Sequence, residues 1–149
     1  MNFQRILVAT DFSPASLAAV ETGFNLALEG SETMYLVNVI ETDASLDQMG
    51  DFYPSFRKRY GDARERLETL IPEQSKHDSK VKTLVLTEAS PARAITRFAR
   101  SKNVDLIIVG IHGRKGLTPL LMGSTAKSLL HRSPCQVLVV KQKVASKAA

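Results

Sequence analysis

Short apolar runs alternate along this chain with longer stretches in which apolar residues return every third or fourth position. Ile6–Thr10 (ILVAT), Met34–Ile40 (MYLVNVI), Val81–Thr87 (VKTLVLT), Leu106–Val109 (LIIV) and Val137–Val140 (VLVV) are strand-sized and nearly unbroken, the pattern of strands covered on both faces. Asn38 is the one polar residue in the middle of the second run. Between the runs lie helical stretches. Ser13-Pro14 makes an N-cap and first-turn pair, followed by Leu17, Val20, Phe24, Ala27 and Leu28, with Gly30 as a stop. Phe52, Phe56, Tyr60, Ala63, Leu67 and Leu70 form one face of a long helix ending before Pro72. Ser90-Pro91 opens a third helix with Ala94, Ile95, Phe98 and Ala99 as its buried stripe, and Ser124–His131 is a short fourth. Glu41–Gly50 reads as a loop, Glu73–Lys80 as a polar connector, and Val144–Ala149 as a frayed tail.

Strands that alternate with helices in this way imply a parallel sheet with helices on both faces, joined by right-handed crossovers. At 149 residues one α/β domain is the natural size. Composition agrees: 44% hydrophobic and 23% charged residues fit a folded globular chain. No apolar run approaches the roughly 18 residues of a membrane span. Met1–Arg5 leads directly into the first strand with no leader-like pattern, and the single cysteine, Cys135, fits a reducing compartment. A cytoplasmic location is therefore expected. The formal charge of +5 is spread out: Arg57, Lys58, Arg59, Arg64 and Arg66 are interleaved with Asp62, Glu65 and Glu68 on the long helix, and Lys141, Lys143 and Lys147 lie near the C-terminus. Mixed signs favour a solvated helix face over a nucleic-acid surface.

Ligands of open α/β sheets bind beyond the carboxyl ends of the strands, where strand order reverses. Four exits can be compared: Asp11-Phe12-Ser13-Pro14, Glu41-Thr42-Asp43, Glu88-Ala89-Ser90-Pro91, and Gly110-Ile111-His112-Gly113-Arg114-Lys115-Gly116. The last holds three of the eight glycines beside two adjacent cations, and its loop ends at Gly123-Ser124-Thr125. Glycine lets backbone approach a ligand, and the helix start that follows presents free N–H groups and the positive end of a dipole. The arrangement is a phosphate cradle, or else a flexible loop before an N-capped helix. It is neither a P-loop nor the Gly-x-Gly-x-x-Gly dinucleotide turn.

Gly110-x2-Gly113-x9-Gly123-Ser124 is similar to the nucleotide-binding signature of the ATP-binding branch of the universal stress protein family. The opening Ile6-Leu7-Val8-Ala9-Thr10-Asp11-Phe12-Ser13 and the closing Ser133-Pro134-Cys135-Gln136-Val137-Leu138-Val139-Val140 resemble that family's first and last strands. The resemblance spans residues 1–141, leaving 142–149 as a tail. It implies the sheet order 3-2-1-4-5 and an adenine-nucleotide site where strands one and four part. The implied binding set is Thr10, Asp11, Val39, Val109, Gly110, His112, Gly113, Arg114, Gly123, Ser124 and Thr125. Asp11 would hold the ribose or adenine side, and Val39 would meet the adenine edge through its backbone. Gly110, His112 and Gly113 would line the ribose and phosphates, and Gly123, Ser124 and Thr125 would hold the phosphate tail. The ligand would be ATP, with Mg²⁺ or Mn²⁺ arriving on the phosphates. Homodimerisation through Val137–Val140 is also implied. Ala89 stands where members often have glycine, and Gln136 where they often have proline; neither removes a phosphate donor.

Bland alternatives stand beside these roles. For Asp11 the other reading is a plain turn residue, and for Arg114 and Lys115 it is solvated loop cations. His112 lacks an obvious carboxylate to orient it as a catalyst. His77 and His131 are too isolated for a metal site. Cys135, at a strand entrance, reads as structural. Three functions remain open: a nucleotide-dependent regulator of stress or energy state acting through a protein partner, a slow ATPase or phosphotransferase, and an interaction module that needs no nucleotide.

Overall fold

The computed structural model describes residues 2–27, 30, 33–42, 52–113 and 121–143. Its elements are β1 (Arg5–Ala9), α1 (Pro14–Ala27), β2 (Thr33–Glu41), α2 (Phe52–Thr69), β3 (Val81–Glu88), α3 (Pro91–Ser101), β4 (Leu106–Gly110), α4 (Ser124–Arg132) and β5 (Gln136–Val140). The five strands form one parallel sheet in the order β3-β2-β1-β4-β5, as expected. Small differences lie at element ends. Glu41 extends β2 instead of starting a loop, Gly110 closes β4, and Gln136 opens β5. The connector before β3 contains a 3₁₀ turn, Glu73–Ser75, whose Ser75 N–H donates to the Pro72 carbonyl at 2.8 Å. Leu28, the 43–50 loop, Arg114–Gly116 and the 144–149 tail lie outside the described residues.

The period of two along each strand sorts its side chains between two cores. Ile6, Val8, Met34, Leu36, Leu106 and Ile108 meet Ala19, Val20 and Phe24 of α1 and Leu67 of α2 on one face. Leu7, Tyr35, Val37, Ile107 and Val109 meet Ile95 and Ala99 of α3 and Leu129 of α4 on the other. The three central strands are buried on both faces, so their sequences have no polar side to show. Each fully buried Ile, Leu or Val contributes about 1.5–3 kcal/mol relative to exposure. Helix starts follow the sequence signals. Ser13 Oγ accepts from the Ser16 N–H at 3.4 Å, and Ser90 Oγ from the Arg93 N–H at 3.4 Å. At the opposite end of the sheet, Asp105 accepts from the Gln4 and Arg5 N–H groups at 2.9 and 3.1 Å and ties the start of β1 to β4. Among the described residues no helix is long and apolar enough to cross a membrane. Lys58, Arg59, Asp62, Arg64 and Glu65 of α2 are all exposed, a mixed-sign face.

Helix α1 lies very close to β1. A Cβ on Gly23 would stand 2.3 Å from Cγ2 of Val8, itself 0% exposed. Overpacking of this kind costs about 1–3 kcal/mol, more than the roughly 1 kcal/mol that alanine gains over glycine inside a helix. Gly23→Ala is therefore expected to lower the urea midpoint of unfolding; an equal or higher midpoint would contradict the packing described.

Candidate functional site

β1 stops before both of its neighbours. Its pairing ends at Ala9, opposite Val37 on one side and Val109 on the other. β2 runs on to Glu41, still paired with β3 at Glu88, and β4 runs on to Gly110, paired with Val140 of β5. The sheet therefore has a notch at its carboxyl edge, at the switch point where β2 and β4 leave β1 on opposite sides.

The floor of the notch is a polar turn. Thr10 is 4% exposed, and its hydroxyl accepts from the Phe12 N–H at 3.0 Å and is hydrogen-bonded to Ser16 Oγ at 2.9 Å. Asp11 Oδ1 accepts from the Ser13 N–H at 3.0 Å. Between them Phe12 takes φ +66°, a left-handed conformation that costs a residue with a Cβ roughly 1 kcal/mol or more. The Arg66 guanidinium of α2 lies over the Phe12 ring, 3.9 Å from its centroid. So Thr10 and Asp11 each hold the turn, and the second carboxylate oxygen of Asp11 faces the opposite wall: a Cβ on Gly113 would stand 2.9 Å from it.

The opposite wall is the exit of β4. The Ile111 N–H donates to the Val140 carbonyl at 2.8 Å, and the Ile111 carbonyl accepts from the Gly123 N–H at 2.7 Å. Ser13 Oγ reaches the His112 carbonyl at 3.5 Å, joining the two walls. The glycines differ in purpose. A Cβ on Gly110 would stand 2.7 Å from the backbone of Ala15 and Ser16, so its missing side chain makes room for α1. A Cβ on Gly123 would lie 3.3 Å from the Ile111 carbonyl and 3.4 Å from the Gly113 nitrogen, so that glycine lets the start of α4 press against the loop. Gly123 is the N-cap of α4 and offers no side chain to its first turn. A helix start of this kind, with the Ser124 and Thr125 hydroxyls beside it, is chemically suited to an anion.

The structure thus brings Thr10, Asp11, Gly110, His112, Gly113, Gly123, Ser124 and Thr125 around one notch, with Val39 on its β2 side two residues past the last rung shared with β1. Val109 is 6% exposed and its side chain belongs to the α3–α4 core, so only its backbone borders the site. Arg114 lies outside the described residues. His112 Nδ1 is buried with no hydrogen-bond partner among the described residues. Ser16, Ser13 and Asn38 also belong to the site's frame. Ser16 is 4% exposed on the buried face of α1, and a polar residue in the apolar phase of a helix was the sequence signal that could have marked it. Among the described residues no three metal-ligating side chains gather. Cys135 is half-buried away from the notch, and burial pushes its thiol up from the ordinary value, with Asp105 adding to the rise against the lowering by Ser133. That environment disfavours the thiolate.

Comparison with known proteins places the chain in a family. The model of the universal stress protein family matches residues 2–141. Universal stress protein MJ0531 of Methanocaldococcus jannaschii is 30% identical over 142 residues, covering 94% of this chain and 83% of the relative. The solved structure of MJ0577, from the same organism, superposes with a TM-score of 0.81 at 27% identity, covering 97% of this chain and 100% of that one. An Arabidopsis thaliana member of the family solved with AMP bound shares the fold at a TM-score of 0.64 and 13% identity, covering 98% and 96% of the two chains.

Proposed function

The chain belongs to the universal stress protein family, and from that premise we propose that it binds an adenine nucleotide, ATP, in the notch at the end of β1 and acts as a nucleotide-dependent regulator through a protein partner. The observation that carries the reading is the start of α4: an N-cap without a side chain, seated against the loop 111–113 by the Gly123 N–H to Ile111 carbonyl bond, so that the first turn of the helix begins at the wall of the notch. In this reading the phosphate tail lies on Gly123, Ser124 and Thr125, the backbone at His112 and Gly113 borders the phosphates and ribose, and Asp11 meets the ribose. Val39 meets the base through its backbone. The AMP held by a protein of the same fold supports adenine at the level of the fold. Mg²⁺ or Mn²⁺ would travel on the phosphates and neutralise their charge, since hard cations of this kind commonly bind with nucleotide instead of in a protein cage.

Gly123→Val tests the assignment. Its branched side chain meets the Ile111 carbonyl and the Gly113 nitrogen and pushes the helix start off the loop. Calorimetry should show ATP binding weakened at least tenfold, about 1.4 kcal/mol, in a protein whose far-ultraviolet circular dichroism is unchanged. Unaltered affinity in the folded variant would sink the phosphate assignment.

The reading is one of binding and not of turnover. Rapid hydrolysis requires an oriented water and charge stabilisation at the leaving phosphate. The described residues of the notch supply hydrogen-bond donors, and the Asp11 carboxylate is engaged by the turn. Phosphate release should fall far below the median enzyme rate of about 10 s⁻¹; steady release above about 1 s⁻¹ by pure protein would make this an ATPase.

The same reading includes a homodimer through Val137–Val140. β5 is an edge strand, and its Leu138 is 38% exposed. Because the Val140 carbonyl accepts from Ile111, the backbone groups of Val137 and Val139 face outward. Such an edge suits antiparallel pairing across a twofold axis. Val139→Pro removes an outward N–H while sparing the ladder to β4, and should shift the protein toward monomer. Light scattering of the unmodified protein at the single-chain mass of 16.4 kDa would refute the dimer.

A further inference from the structure

In a parallel ladder each residue sends its N–H and C=O to the same side, and successive residues alternate. On β2 the Thr33 N–H donates to the Gln4 carbonyl at 3.0 Å and the Val37 carbonyl accepts from Thr10 at 2.8 Å, so odd-numbered residues face β1. The Met34 and Thr42 N–H groups donate to the Lys80 and Glu88 carbonyls at 2.9 and 3.1 Å, so even-numbered residues face β3. Val39 therefore faces β1. One further rung would have its N–H donate to the Thr10 carbonyl. That rung is not made: pairing ends at Ala9 and Val37. The Thr10 carbonyl instead accepts from the side-chain amide of Asn38 at 2.8 Å.

Asn38 is 5% exposed and shares its strand face with Met34 and Leu36 of the α1–α2 core. An amide in that position carries a desolvation cost of about 1–3 kcal/mol unless it is hydrogen-bonded. A leucine or valine would suit the core better, so the polar side chain calls for a reason. Its partner is the last carbonyl before the notch.

We infer that Asn38 is a positioning residue for base recognition: it gives the Thr10 carbonyl a donor from the side, ends the β1–β2 ladder one rung early, and leaves the Val39 N–H and C=O facing the notch as a donor–acceptor pair. The inference rests on the nucleotide reading above. Adenine presents a ring-nitrogen acceptor beside an amine donor on its Watson–Crick edge, which complements that pair. Guanine presents a ring N–H donor beside a carbonyl acceptor and sets donor against donor. Without the Asn38 amide, the Thr10 carbonyl is left to the Val39 N–H, the ladder closes by one rung, and the base loses its donor. The phosphate wall, built on β4 and α4, is untouched.

The test uses the wild-type chain, Asn38→Leu and Asn38→His; the last restores a ring N–H at the same number of bonds from Cβ. Each is titrated by calorimetry with ATP, GTP and inorganic tripolyphosphate, and the Val39 amide is followed by hydrogen exchange without ligand. Asn38→Leu is expected to bind ATP about tenfold more weakly, to lose most of its ATP-over-GTP preference, and to bind tripolyphosphate as the wild type does. Its Val39 amide should become more protected, and Asn38→His should restore both base preference and rapid exchange. A purely structural role would weaken all three ligands together, and that result, or unchanged ATP binding with unchanged Val39 exchange, overturns the inference. Wild type that binds none of the three ligands instead refutes the nucleotide reading, and the Val39 exchange comparison then decides the early ladder stop by itself. If Asn38→Leu does not fold, wild-type Val39 exchanging as slowly as Val37 is enough to reject the proposal.

Discussion

The first turn of α1 lies so close to the end of β4 that one methyl group on Gly110 would stand 2.7 Å from its backbone. Most of the site follows from that approach. To reach Pro14 and begin the helix there, the chain must leave the sheet at Thr10, while β2 and β4 run further on either side. The departure makes the notch. It also carries Asp11 and Ser13 across to the exit of β4, where one faces Gly113 and the other reaches the His112 carbonyl. A larger residue at position 110 would push α1 outward and separate the two walls before any ligand met them.

A turn this tight needs its own support. Phe12 sits in left-handed space, and Thr10, Ser13, Ser16 and Asn38 are polar groups removed from water. Each would be costly alone, and each is paired. Thr10 bonds to Phe12 and Ser16, Ser13 to Ser16, and Asn38 to the Thr10 carbonyl. The Arg66 guanidinium on the Phe12 ring adds a contact from α2. Breaking one member leaves a buried group unsatisfied, about 1–3 kcal/mol each, a cost of the same size as the strain at Phe12. The turn is held rigidly enough to aim a carboxylate across the notch.

The strands were legible because the central ones are buried on both faces, and an unbroken apolar run has no other economical reading at that length. Their order came from the family likeness of the two chain ends and the glycine spacing, and the pairing bears it out. Element ends were less legible: Glu41 and Gln136 look like loop residues but are held in ladders by neighbouring backbone, which leaves no mark in their own side chains. The glycine pattern pointed to the wall proposed for phosphate, yet it could not separate Gly110, whose space is filled by a helix ninety-odd residues earlier in the chain, from Gly123, which presses on its own loop. Asn38 stood out as polar within an apolar strand; its partner, twenty-eight positions back, is a fact of register that only the paired sheet reveals.

In the proposed reading the two walls of the notch recognise different things by different means. A helix start attracts negative charge with little regard for what the charge is attached to, so α4 is indifferent to the base. A donor and acceptor fixed in sequence along one strand distinguish one base edge from its reverse, and backbone groups have no side chain through which substitution could change them. Selectivity built this way can be altered only through whatever keeps those groups unpaired. On the β3 side, Thr42 continues the ladder to Glu88, and on the β5 side Ile111 continues it to Val140, so the sheet stays closed through both of those exits. Only beside β1 do the ladders of the described residues end early, and on its β2 side a side-chain amide takes the place of the next rung at Thr10. In that reading the base meets an ended ladder and the phosphates a helix whose N-cap has no side chain, and the glycine at the end of β4 lets the one chain turn that separates them pass between.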